Sequence, residues 1–560
     1  MFTQRLKTIL LRPIVFGLLS IVLCPLSISQ TMVYLERCET LSFDEDRIAN
    51  AQILKGDVVF RHEEMWMYCD SAYFYEGTNS LDAFGHIRFV QGDTLRGFCD
   101  KLYYDGNTKL ARMRRNVRLV HGREDENPTI LTTDSLNYNR QAGIAYYYSG
   151  GEVKDSLNTL VSILGNYTPS TKQAVFSQEV QLTNPKFILT SDTLLYNSET
   201  KVADIVSPTT IVYEEETTIL SSRGWYNTSN EQSMLLDRSV VEHTDGKSMT
   251  GDTIYYDKAI GFGQVLGHMA MKDTEQHATL YGEYGQMWEE GSRGYATDSA
   301  LMVDWSDSLH IAYIHADTLF TEEVAYTDSM LMADSTITDS TYRRVRAYHG
   351  VRVWRDDMQM VCDSLVYLGS DSIIYLYTDP ICWSENQQIS ADSMRVYIVN
   401  GAVDHAVGIL NAICVMNDTL DIFNQMSGKE IIAYLTDGAV HTVDVSGNAL
   451  TVYYPKEDDG GYVGVNNTES SFIRVYVENQ QIQRIRFTKE TTGVLYPMDQ
   501  VPEDADRLSL FFWEEKSRPI NKDDVFRQVK VEKVKVDKSK SDKEKSGRTK
   551  KQTDKPKAKK

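Results

Sequence analysis

Residues 56–122 carry one pattern written twice, and that repetition constrains the fold more than any other feature of the chain. Cys69-Asp70-Ser71-Ala72-Tyr73 aligns with Cys99-Asp100-Lys101-Leu102-Tyr103. A polar turn follows each (76–80 and 105–109), and Ile87-x-Phe89 then aligns with Val117-x-Leu119. Each copy closes near a glycine, Gly92 and Gly122. One unit is therefore a strand, a turn and a second, kinked strand. A period of about 30 residues is the spacing of stacked repeats, whose units bury their apolar faces against their neighbours.

The Asp-x-Leu-x-Tyr core returns at Asp134-Leu136-Tyr138, Asp192-Leu194-Tyr196, Asp252-Ile254-Tyr256 and Asp363-Leu365-Tyr367. Weaker copies start near Asn166, Arg223, Glu283 and Asp392. Alternation with period two places Asp, Leu and Tyr of each copy on one strand face. Second strands recur as Val180-x-Leu182, Ile211-x-Tyr213 and Met269-x-Met271, and no helical period of comparable strength follows residue 35. The expected fold is all-β: an elongated open β-jellyroll, or solenoid-like stack, of antiparallel hairpin repeats. About a dozen rungs at roughly 4.8 Å each would make a trough on the order of 60 Å. Small residues among the large inward ones (Ala83, Gly85, Ala111, Ala142, Ala174, Ala203) predict an interior that is not filled solid.

The ends differ from this body. Arg5, Lys7 and Arg12 precede an apolar run, Ile14 to Ile28, and Ser27-Ile28-Ser29 is a small-residue cleavage signal. Residues 1–29 read as a secretory signal peptide; Cys24 raises acylation as the alternative, although Leu23 is large for such a site. Residues 528–560 hold thirteen Lys and one Arg against five acids and carry no apolar payload, which predicts a disordered tail. The net charge is −21, so the body alone is strongly acidic and would repel phosphate backbones. Nucleic-acid binding by the folded part is excluded on that ground. High Tyr (33) and low Pro (12) suit long uninterrupted strands.

Residues 30–317 read as a first stack and 347–455 as a second. The Asp/Ser/Thr-rich stretch 318–346, where the repeat lapses, reads as an insertion or linker between them. Asp458-Asp459-Gly460-Gly461 is a hairpin turn signal. Residues 456–527 read as a small C-terminal β cap that includes the aromatic run Phe511-Phe512-Trp513.

No catalytic constellation emerges. The 11 His are scattered singly, without a His-Glu-x-x-His pair or a nucleophile elbow. Gly261-Phe-Gly263-Gln-Val-Leu-Gly267 has the wrong spacing for a dinucleotide loop and reads as a close-packed or bulged strand. An Asp in nearly every rung is better explained by strand bends than by a carboxylate pair needed only once. Acidic clusters at 44–46, 124–126 and 214–216 lack calcium-loop spacing and read as solvated turns. Cys69 and Cys99 share one repeat slot, either as buried thiols or, if their strands are neighbours, as a bonded pair. The cysteine spacing supports no zinc site, and no metal or cofactor is expected. Lys109, Arg112, Arg114, Arg115, Arg118 and Arg123 set six cations within fifteen residues. Arg112, Arg114, Arg115 and Arg118 are phosphate-contact candidates, against the alternative of an outward face paired with neighbouring acids.

The chain resembles the OstA/LptA family of lipopolysaccharide-transport proteins. The resemblance rests on GDVVF (56–60), CDSAYFY, CDKLYYD, the Ala-to-Val-x-Leu strands and GVLYPMDQVP (493–502), and it covers about residues 50–455. It implies an open β-jellyroll that takes lipid A chains inside and joins end to end into a periplasmic bridge of a Gram-negative envelope. The expected function is a non-enzymatic, exported lipopolysaccharide carrier, periplasmic or outer-membrane-associated. Candidate groove-lining residues are Ile87, Phe89, Leu102, Val117, Leu119, Leu136, Val180, Leu182, Leu194 and Ile254. Expected partners are lipopolysaccharide, other transport components or a second copy by strand addition, and a membrane or acidic partner for the Lys-rich tail. The rivals are an adhesive or structural cell-surface β-solenoid with a solid interior, and a polysaccharide-active β-helix enzyme.

Overall fold

Period-two alternation predicts strands, and strands are what the chain forms. A computed structural model describes residues 31–123, 127–327, 330–331, 340–419, 421–457 and 459–528. The signal-peptide reading, the acidic cluster 124–126 and all but the first residue of the Lys-rich tail lie outside the described residues. Within them the chain is almost entirely antiparallel β: long strands pair with their sequence neighbours, while shorter half-strands pair past one another, as Ile144–Tyr147 does with Leu164–Thr168 and Val202–Ile205 with Arg223–Asn227.

The repeat unit folds as its pattern dictates, with one addition: each long strand breaks near its middle. Strand Met65–Tyr75 pairs with Ser80–Gln91 from Met65↔Gln91 to Tyr68↔Arg88, then resumes at Ser71↔Phe84. Burial parity switches at the break, from Met65, Met67 and Cys69 to Ala72 and Phe74. The opposing bulge residues take left-handed backbone angles, as at Gly85-His86, Arg115-Asn116 and Gly267-His268. A bulge of this kind bends the strand. The recurring Asp braces the bend: Asp70 accepts from His86 Nδ1 at 2.7 Å, Asp100 from Asn116 Nδ2 at 2.7 Å, and Asp392 from Asn411 Nδ2 at 3.0 Å. At Gly85 and Gly267 a Cβ would collide with Asp70 and Asp252 respectively, so glycine is demanded twice over, by φ and by space.

Bending lets the two halves of each strand face one interior. The ring of Phe89 stacks on Tyr138 with centroids 6.1 Å apart, and His62 meets Tyr104 at 5.7 Å. Neither pair sits on hydrogen-bonded neighbours, so both contacts span the sandwich. Cys69 faces Val58 and Cys99 faces Ile87; a whole strand separates the two thiols, and both are free and buried.

The described chain forms two compact units. One comprises the residues up to Ser156 together with Ile163–Lys172, and the other Leu157–Ser162 with everything from Gln173 onward. The sequence-based first stack, 30–317, runs across that division, because the repeat is locally alike on both sides. The second unit corrects two further boundaries. Strand Thr318–Ala325 pairs with Thr341–Trp354 from Thr318↔Tyr348 to Ala325↔Thr341, so the lapse in the repeat lies within a hairpin and not between stacks. Strand Gly464–Glu478 pairs with Ala439–Tyr453, so no β cap begins at 456. Residues 501–521 and 527–528 contain no strand; the segment crosses the sheet instead, with one 3-10 turn at Lys522–Phe526. Its presence explains strands buried on both faces, such as Ile381–Ser384 and Gln387–Ser390.

Candidate functional site

The ten residues read as groove lining are all buried, none more than 2% exposed. They fill the interior as packed core. Leu119 sits opposite Leu131 and Gly97, Leu182 opposite Leu160 and Leu189, and Ile254 opposite Leu235 and Val265. Rows of large side chains at this density leave no lane at those positions.

The interior does open elsewhere in the second unit. A cavity of about 390 Å³ lies between strands contributed from Tyr213 to Arg343, and none of the ten lines it. A volume of this size falls within the range of roughly 300–1,000 Å³ typical of small-molecule sites. Both halves of single bent strands contribute: Met249 and Tyr256 from Lys247–Asp257, Leu280 and Met287 from Ala278–Trp288. Ile219, Tyr226, Val241, Met271, Trp288 and Met302 complete the apolar wall. Four of these side chains are methionines, which adapt their shape to irregular space. Met269-x-Met271 was visible in the sequence only as strand alternation; the gathering of Met249, Met271, Met287 and Met302 around one cavity brings together strands far apart in the chain.

The mouth is polar and internally paired. Lys258 Nζ lies 3.0 Å from Glu289, which also accepts from the Tyr256 hydroxyl. Burial alone would raise the Glu289 carboxyl, but the Tyr256 hydroxyl and Lys258 outweigh it and hold the pKa below its ordinary value. Lys247 meets Asp245 at 3.0 Å, and Asp245 lies 2.8 Å from His243. Tyr213 donates to Glu231 at 3.1 Å, and Glu322 receives Arg344 and Arg346 at 2.8 Å each. Arg343 donates to the Gln276 carbonyl at 3.0 Å; burial lowers its pKa. These groups anchor one another. The arrangement offers an apolar space behind a rim of paired charges, suited to hold an apolar group.

The phosphate-contact candidates do not converge. Arg114 is committed to the carbonyls of Met113 and Leu136 and to Asn137, while the Arg118 guanidinium lies 5.8 Å from the Phe98 ring centroid. Arg112 is exposed on the half of the strand before the bend, and Arg115, also exposed, is one of the left-handed residues of the bend itself. Among the described residues one trio has metal-ligand geometry, His310, Asp356 and Asp357, but Arg355 already grips the Asp357 carboxylate with two bonds of 2.9 Å.

Residues 30–192 match the family described as OstA-like protein. No curated protein matches the chain.

Proposed function

We propose that this chain, whose residues 30–192 belong to the OstA-like protein family, is a non-enzymatic lipopolysaccharide-transport protein that shelters acyl chains in the 213–343 cavity. The observation that carries the reading is a cavity of about 390 Å³ with a largely apolar wall. A saturated chain of about twelve methylenes is roughly 10 kcal/mol unfavourable in water, at about 0.8 per CH₂, so a lipid crossing an aqueous compartment requires such cover. The cavity lies outside the matched stretch, and the rim holds its cations in pairs with acids. Cargo is thus gripped through its chains, while anionic head groups meet the exposed rim cation Lys272.

Export to the periplasm follows from this reading, as does assembly through sheet edges. Strands Tyr34–Arg37 and Thr40–Phe43 form an edge that exposes Tyr34, Leu41 and Phe43. An apolar edge invites strand addition by a transport component or a second copy. The Lys-rich tail supplies charge for an anionic membrane or acidic partner, and deleting 528–560 tests that by membrane association. A scaffold reading is favoured at the ten packed positions, which have no room for cargo.

A photo-crosslinking residue at Met271 or Leu280, followed by mass spectrometry of the adduct, tests the carrier reading. A lipid adduct at these sites and none at Leu119 is expected. Absence of adducts at both, with no lipid co-purifying, overturns it.

A further inference from the structure

A single row of side chains runs straight across seven strands of the second unit. Gln359 pairs with Trp383, Trp383 with Gln388, Gln388 with Val415, Val415 with Gln425, Gln425 with Val452, and Val452 with Asn467. Carboxamides and apolar residues alternate strictly along it. Gln388 and Gln425 are 0% and 1% exposed, although alternation turns them away from the sandwich interior filled by Cys382, Ile389 and Cys414. A buried primary amide is costly unless its donors and acceptor are all matched.

What matches them is the chain's own C-terminal segment. Gln425 donates to the Asp506 carbonyl and accepts from the Leu508 amide, both at 2.8 Å. Gln388 repeats the grip six residues on, donating to the Phe512 carbonyl at 3.0 Å and accepting from the Glu514 amide at 2.8 Å. Each glutamine thereby imitates a strand edge, binding the C=O and N–H that flank one residue. Asn467 holds the Ala505 carbonyl at 2.8 Å, and Gln359 accepts from Arg518 at 2.8 Å. Between the two glutamine grips the segment folds into a turn (Phe511 N–H to Leu508 C=O, 2.9 Å) that presses Leu508, Leu510, Phe511 and Trp513 onto Ile413, Val415 and Phe423. The turn is needed because two strand spacings, about 10 Å, are shorter than the roughly 20 Å that six extended residues would cover.

We propose that this row is a peptide-binding lane whose ligand is the 505–518 segment, held in cis by a single copy and accepted equally from a second copy of the chain. Three observations support exchange. The grips read backbone, so any copy of the segment satisfies them. The segment shares no strand pairing with the sheet, so it leaves without breaking one ladder bond. The vacated carboxamides return to water, while the vacated apolar residues drive recapture of an equivalent segment. An element exchanged between copies makes identical contacts in cis and in trans.

The test uses the full chain and a fluorescent synthetic peptide spanning 505–518. Saturable binding is expected, tighter in a Phe511→Ala/Trp513→Ala chain whose own segment competes poorly. It should weaken at least about tenfold when Gln388→Ala and Gln425→Ala are added. No binding to the weakened-segment chain, or binding indifferent to the two glutamines, overturns the proposal. Should those variants fail to fold, hydrogen exchange on the unmodified chain decides. Leu508 and Glu514 amides exchanging well ahead of the Val415 amide support a detachable segment, and exchange only together with the sheet overturns it. Neither arm involves the 213–343 cavity, so the lipid reading stands or falls separately.

Discussion

His268 Nδ1 lies 2.7 Å from the Asp252 carboxylate, joining a left-handed bulge residue to the Asp that opens the repeat motif on the neighbouring strand. His86 and Asp70 form the same pair, at the same distance, in the other unit. One local device thus makes the bend in both units. It accounts for the recurrence of an acid in nearly every rung.

That pairing sets a titration. The bond from Asp252, then its charge, raise the His268 pKa above the ordinary 6.5, and Asp70 does the same for His86. A raised folded value means the stabilisation is complete below the unfolded pKa and is lost as pH rises through the folded one. Side-chain NMR titration should place both histidines above 6.5, and Asp70→Asn should return His86, and not His268, towards that value.

The interior histidines act with the opposite sign. Burial, then Arg140, lowers the pKa of His62; burial, then Lys172, lowers that of His121. The unfolded chain binds these protons first as pH falls below 6.5, so their stabilisation is present above that value and drains away towards the folded pKa. Lowering the pH from about 7.5 to 5.5 should shift the urea midpoint less favourably in the parent chain than in a His62→Gln/His121→Gln chain, whose remaining histidines are unchanged.

Core and cavity residues should respond differently to truncation. Leu119 is fully packed, and Leu119→Ala should cost about 2–5 kcal/mol by denaturant melts. Met271 borders space that is already empty, so Met271→Ala should cost far less while changing lipid capture. Leu119→Asp or Leu182→Asp would bury an unpaired carboxylate and unfold the unit, which makes either a poor probe of binding.

The repeated cysteines should be inert. Burial pushes the Cys69 and Cys99 thiols up to about 12, and a strand stands between them. Native protein should leave both unmodified by a thiol reagent that labels them after denaturation, and oxidant should not link them. Rapid native labelling of Cys69 would contradict the packing described.

The sequence by itself determined the strands, the 30-residue unit and the placement of bends, because these depend on residues within one or two turns of chain. Period two selects which side chains are inward, and Asp opposite Gly-His or Asn marks where the strand must kink. It marked the residues from Ile87 to Ile254 as inward-facing but not what lies beyond them: a row of inward Leu and Val looks alike whether its far side is empty or filled. Only tertiary structure decided that. The cavity depends on how strands 130 residues apart, from Tyr213 to Arg343, face one another. The Gln359-to-Asn467 row depends on the cumulative register of seven strands, in which a slip of one residue would turn every carboxamide to the other face. Alternation is local and can be read along the chain; vacancy and register are sums over many pairings, and no short stretch contains them.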